Sequence, residues 1–285
     1  MYFFIWLLLA VCLLLVVGVA LSFYMTRRLP QTISRNPTEF NLSFKEVEFA
    51  ASDGLLLRGW WIPAPGSYRA VTIMHGHGGS MDCDIHRAPE LLTAGFSVFL
   101  FDFRAHGRSQ GRLATFGYLE QQDVQGAVTF LKSQGVKSIG LLGFSYGGMA
   151  AMLAAPHCPE VKAVISDGGP ARLRTAIIGR FIEAHLSSIL GTFAAWLIIG
   201  AASLRLGVNL FCYEPIRWVG KIAPKPILFI HGELDQYLSD FNQLYAAANE
   251  PKEVWRLDGV HHTKASEVYS EEFSRRVIKF FDENL

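Results

Sequence analysis

Six short apolar runs recur along this chain at spacings that leave room for a helix between most of them, and this alternation restricts the fold more than any other feature. They are Ala70–Met74, Ser97–Phe101, Ser138–Leu142, Val161–Ser166, Pro226–Ile230 and Val254–Leu257, each four to six residues long. Continuous apolar runs of that length suit strands buried on both faces. Helical stretches fall at Ala88–Ala94, Leu119–Gln134, Gly147–Ala155, Phe241–Asn249 and Glu271–Asn284. Ahead of them, Phe44–Phe49 and Leu55–Ile62 flank the turn signal Ser52-Asp53-Gly54 and predict a hairpin. A hairpin followed by repeated strand–helix units predicts an α/β domain: a mostly parallel central sheet with helices on both faces.

Two segments stand outside this rhythm. From Tyr2 to Met25 the chain is almost wholly apolar, and Arg27 is the first charged side chain. A helix of that length spans a hydrocarbon core of about 30 Å. Tyr2, Trp6, Phe23 and Tyr24 lie toward its ends, as interfacial anchors do. A cleaved signal peptide is the rival reading, with Gly18-Val19-Ala20 as its small-residue site, but the basic leader and shorter apolar run of such peptides are missing. A transmembrane anchor over 1–26 and a linker over 27–43 are therefore expected before a domain at 44–285. Arg27 and Arg28 directly follow the apolar run, so the positive-inside rule puts that domain on the cytoplasmic side.

The second segment, 168–224, is too long for a simple crossover, and Ser187–Leu204 within it carries no charge. A single crossing there would separate the last strands from the sheet. A helical cap between the sixth and seventh strands is expected instead, with the apolar positions from Phe181 to Ile198 forming a broad helical surface. Phe193, Trp196 and Leu197 on that surface are expected to set acyl-chain preference.

The formal charge of +1 offers no basic stripe for a nucleic-acid partner. Cys12, Cys83, Cys158 and Cys212 are far apart and match no zinc or disulfide spacing.

Gly143-Phe144-Ser145-Tyr146-Gly147 follows an apolar strand and opens a helix. A serine on such a turn is forced into a strained backbone, flanking glycines make room for it, and the helix start favours negative charge beside it. His75-Gly76-His77-Gly78-Gly79 follows another strand. A glycine-rich loop leaves backbone N–H groups free to meet a developing oxyanion, and the N–H groups of His77 and Tyr146 are the candidates. A serine hydroxyl needs a base, and the base an orienting group. Asp235 in His231-Gly232-Glu233-Leu234-Asp235 and His262 after Gly259 both lie just past strands, at the carboxyl edge where sites of open α/β sheets gather. Asp167 after the sixth strand is the alternative acid, and His261 adjoins the base.

With Asp102-x-Arg104-x-x-Gly107-x-Ser109 these landmarks make the chain, from Phe44 onward, resemble the α/β-hydrolase superfamily. It is similar in style to membrane-anchored lysophospholipase, acyl-thioesterase and prolyl-oligopeptidase-like members. The resemblance implies Ser145 as nucleophile, His262 as base, Asp235 as acid and oxyanion donors at His77 and Tyr146, with neither metal nor organic cofactor. It implies cleavage of a small-molecule ester or thioester of an apolar acyl group. Peptidase or amidase activity, and a non-catalytic ligand-binding role, are the alternatives. Ala105 stands where such loops usually carry glycine and is read as neutral.

Overall fold

A computed structural model describes residues 2–285. Its centre is an eight-stranded sheet in the order β1-β2-β4-β3-β5-β6-β7-β8. The strands are β1 Lys45–Ala50, β2 Leu56–Ile62, β3 Arg69–Met74, β4 Ser97–Phe101, β5 Ser138–Phe144, β6 Val161–Asp167, β7 Ile227–Gly232 and β8 Lys252–Leu257. β1 and β2 form the expected hairpin, β2 meets β4 antiparallel, and every later pairing is parallel.

The helices are α1 Tyr2–Thr26, α2 Ala88–Thr93, α3 Glu120–Ser133, α4 Tyr146–Ala154, α5 Leu173–Glu183, α6 Ser188–Leu206, α7 Phe241–Ala247, α8 Ala265–Val268 and α9 Ser270–Asn284. Two apolar layers sandwich the sheet. Val124 and Leu131 of α3, Ala150 and Met152 of α4 and Leu244 of α7 share one with Trp61, Phe99 and Phe101. Leu91 of α2 and Val277, Phe280 and Phe281 of α9 share the other with Trp60, Val98 and Leu100. Adjacent Trp60 and Trp61 thus fill opposite layers, as strand alternation requires.

Three strands run further than their apolar residues. Gly143 and Phe144 pair with Ser166 and Asp167, and His231 and Gly232 pair with Arg256 and Leu257. Backbone hydrogen bonding continues where hydrophobicity stops, so the motif residues are delivered to one edge of the sheet.

The cap departs from the single surface expected over Phe181–Ile198. The chain turns between Glu183 and Ser188, and His185 takes a positive φ of 56° there. The result is a hairpin of α5 and α6. Gly191 packs so tightly in it that a Cβ there would lie 3.0 Å from the Cβ of Phe181.

The segment after α1 is fastened to the body. Arg27 bridges Leu113, Leu29 bridges His106, and Ile33, Phe40 and Leu42 pack on the second apolar layer. Ala105, buried in the loop that receives Leu29, has φ 59°, so a left-handed backbone is imposed on a residue with a Cβ. That position is strained rather than neutral. Asp102 ties the same loop, its carboxylate accepting from the N–H groups of Met81 (2.7 Å) and Arg108 (2.8 Å).

Candidate active site

Ser145 sits between β5 and α4 with φ 50° and ψ −108°. A non-glycine residue held there costs on the order of 1–3 kcal/mol, which the surrounding packing must supply. The flanking glycines show how little room the turn leaves. A Cβ on Gly147 would lie 2.2 Å from the Met74 carbonyl oxygen, and one on Gly143 would lie 2.4 Å from the Gly147 backbone. The Ser145 N–H donates to the Asp167 carbonyl at 2.8 Å, tying the turn to the end of β6.

Asp235 and His262 reach this serine from two loops locked together at Gly232. A Cβ on Gly232 would meet the Val260 carbonyl oxygen at 2.3 Å, and Leu234 N–H donates to that same oxygen at 3.0 Å. The contact sets Asp235 against His262. His262 Nε2 lies 2.8 Å from Ser145 Oγ, and His262 Nδ1 lies 2.5 Å from Asp235 Oδ2. The other oxygen of Asp235 accepts from the Tyr237 N–H at 2.9 Å. Both carboxylate oxygens are therefore occupied, and the side chain is buried.

Asp167, the alternative acid, lies close by but makes no bond to His262. It is buried, its Oδ2 is without a hydrogen-bond partner, and burial pushes its carboxyl up to about 8, with the Asp235 charge adding to the effect. His261 lines the same cavity without joining the Ser145–His262–Asp235 chain.

The glycine-rich loop after β3 passes directly beside the serine, since a Cβ on Gly76 would touch the Ser145 Cβ at 3.7 Å. His75 pins this loop. Its Nε2 accepts from the Phe103 N–H at 3.1 Å, which leaves Nδ1 to donate to the Gly76 carbonyl at 2.8 Å. Burial pushes His75 down to about 4, so that neutral tautomer persists at physiological pH. The His77 ring stacks on Phe116, with centroids 4.9 Å apart, and burial pushes it down to about 3. His77 contributes an uncharged ring to the cavity lining. Tyr146 opens the first turn of α4, where unpaired N–H groups and the helix dipole favour negative charge.

A cavity of about 700 Å³ opens onto Ser145 and His262. Phe116, Met149, Pro170, Ile177 and Leu234 make its apolar wall, and Arg180, Glu183 and Lys264 supply charge. Its size is ordinary for a small-molecule site. Phe193, Trp196 and Leu197 take no part in the lining, contrary to expectation, because the α5–α6 turn gives the cavity to α5.

Three contributors were given no role by the sequence, although His75 opens the glycine-rich motif and Met25 closes the apolar run. Tyr237 covers the His262 ring, with centroids 4.5 Å apart, and donates its hydroxyl to Glu183. His75 braces the loop that runs beside Ser145. Met25, at the end of α1, lines the cavity itself.

The chain has the α/β-hydrolase fold, and its similarities to known proteins support a hydrolase of that fold. The profile of the alpha/beta hydrolase fold family matches residues 69–197. In three dimensions the esterase Pf2001 of Pyrococcus furiosus superposes with a TM-score of 0.76 at 26% identity, covering 91% of this chain and 98% of the esterase. The uncharacterised protein YfhR of Escherichia coli K12 is 28% identical over 282 residues, 95% of this chain and 90% of that protein. A thiohydrolase, aneE of Aspergillus aculeatus, is 36% identical over 130 residues, 44% of this chain and 41% of its own length.

Proposed function

We infer that this protein is a serine hydrolase that cleaves an ester or thioester of an apolar acyl group through an acyl-enzyme on Ser145. The observation that carries this reading is the unbroken chain Ser145 Oγ–His262–Asp235, at 2.8 and 2.5 Å, at the floor of a partly apolar cavity. Likeness to an esterase and a thiohydrolase supports the bond type.

In the proposed sequence Ser145 Oγ attacks the acyl carbonyl carbon as its proton passes to His262 Nε2. The charge that develops on the carbonyl oxygen is met by the backbone N–H groups of His77 and Tyr146. Collapse returns that proton to the leaving alcohol or thiol and leaves the acyl group on Oγ. Water then attacks the acyl-enzyme, gives its proton to His262, and Ser145 is regenerated as the carboxylic acid departs. Asp235 keeps Nδ1 protonated and stabilises the imidazolium that forms twice in the cycle. The route as written needs no metal or organic cofactor.

α1 fits the same picture as a membrane anchor. It is 25 residues long, about 37 Å at the helical rise, and its outward residues from Tyr2 to Leu9 are exposed and apolar. Arg27 and Arg28 at its end favour a cytoplasmic catalytic domain.

A fluorophosphonate probe tests the reading. The wild-type chain should be labelled and lose activity toward p-nitrophenyl butyrate, and Ser145→Ala should abolish both labelling and turnover. Labelling that survives the substitution sinks the assignment, and absence of wild-type labelling and turnover favours a ligand-binding role. Comparison of p-nitrophenyl esters with matching p-nitroanilides separates ester from amide cleavage.

A further inference from the structure

We propose that the tip of the α5–α6 hairpin enters the lipid bilayer beside α1, so that the cavity takes a membrane-resident, long-chain acyl ester or thioester from the lipid phase. This deepens the serine-hydrolase reading and rests on it.

The geometry begins with the way α6 meets α1. A Cβ on Gly18 would lie 3.2 Å from the Leu197 Cβ. Further along both helices, Arg205 donates to the Ser22 carbonyl (3.2 Å) and the Thr26 hydroxyl (2.5 Å), and its guanidinium covers the Phe23 ring at 3.9 Å. The contacts advance in the same direction along both chains, so the helices run parallel. Arg205 is level with the last turn of α1, where Arg27 and Arg28 follow. The first half of α6 therefore points the way α1 points, away from that basic end. Whatever phase holds the middle of α1 receives the start of α6 and the turn before it.

The side chains at that tip match such a phase. Leu186, Ile189, Leu190, Phe193 and Trp196 are each more than half exposed. The ionisable groups nearby, Arg180, Glu183 and His185, are exposed where they line the cavity, and Arg180 pairs with Glu183 at 3.6 Å. From Leu186 to Leu204 no side chain is charged, so the exposed face of α6 itself is wholly uncharged up to Arg205. Two residues join the surface to the cavity. Met25 of α1 packs with the cap cluster and lines the cavity, and Ile182 lines it while remaining exposed. Met25 and Ile182 thus offer an acyl chain apolar contacts between the cap and the Ser145 chamber.

The full-length chain in phosphatidylcholine vesicles provides the test. In a Trp6→Phe background, Ile189→Trp should add emission that phosphatidylcholine brominated on its acyl chains quenches. Emission added without quenching overturns the proposal. A second variant, Ile189→Asp with Phe193→Asp, lies outside the cavity. It should lower hydrolysis of 4-methylumbelliferyl palmitate dissolved in the vesicles about tenfold, because insertion strength follows buried apolar area, and keep hydrolysis of aqueous p-nitrophenyl butyrate within about twofold. Retained turnover of the palmitate ester, or an equal loss on both substrates alongside an unquenched probe, also overturns it. Quenching is independent of catalysis. A failed Ser145 assignment with normal quenching would therefore reject the enzyme reading and leave the insertion standing.

Discussion

The carboxyl edge of the sheet and the cap hairpin are built on opposite terms. At the edge the Ser145–His262–Asp235 groups have partners inside the chain: Asp235 has two donors, His262 has a serine, a carboxylate and an aromatic cover, and Gly143, Gly147 and Gly232 have no room for one carbon atom. In the cap, α6 leaves Ile189, Leu190, Phe193 and Trp196 uncovered and holds α1 largely through one arginine and close helix contact. A self-satisfied region fixes geometry to fractions of an ångström. A region with open apolar surface is completed by something outside the chain. The proposed chemistry belongs to the first and the proposed substrate supply to the second.

Substitutions at the edge should break function far more than stability. Ser145→Ala should lower kcat/KM by a factor on the order of 10³–10⁶ with an unchanged melting temperature, read by ester hydrolysis and calorimetry. A loss below tenfold would remove the edge from the chemistry. Asp235→Asn should cost about 10⁴ in kcat, because His262 loses the group that fixes its tautomer. Asp167→Asn should stay within about tenfold, being outside the bonded chain. The reverse ranking would transfer the acid role.

Gly147→Ala probes the packing that distinguishes the edge. With the Met74 carbonyl in the way, it should cost about 1–3 kcal/mol of stability and much of the activity. The cap should tolerate more. Arg205→Ala removes a charged hydrogen-bond pair and a ring contact that are partly solvated, and should lower the melting temperature by about 2–4 °C. A collapse comparable to Gly147→Ala would show the cap to be as self-contained as the edge.

A separate effect concerns acidity. The Asp167 carboxyl is pushed up to about 8 by burial, against about 4 in an unfolded chain. Between those values the folded state holds a proton that the unfolded state has released. Stability therefore falls as pH rises from about 4 to 8. Asp167→Asn should flatten that decline, and melting temperatures at pH 5 and pH 8 report it. An unaltered slope would place the titration elsewhere.

The contrast also explains what could be read from the residues alone. The edge was legible because its demands are local: Ser145 needs glycines at fixed distances, and Asp235 and His262 follow strands. The sheet was legible for the same reason, though β5, β6 and β7 run past their apolar residues because ladder bonds do not depend on side chains. The roles of His75 and Tyr237 were not legible, although the His75 motif was, because they come from contacts with Phe103 and Glu183, far away in the chain. The cap was only half legible. Its apolarity is plain, but Ala184-His185-Leu186-Ser187 contains no glycine or proline to announce the turn. His185 itself adopts the left-handed backbone, and a single long surface became a hairpin whose inner helix, α5, faces Ser145.

The bond between Arg205 and Thr26 spans 179 positions of sequence, and that separation has a consequence for biosynthesis. α1 leaves the ribosome first and waits through six strands of sheet before α6 exists to meet it. Asp235 and His262 are translated later still. Closing so long a loop is entropically slow, and a helix already confined at a surface narrows the search to two dimensions. On the proposed reading α1 is then an assembly guide: the nascent chain would acquire its lipid-side architecture before Asp235 and His262, and would stay catalytically silent until synthesis is nearly complete.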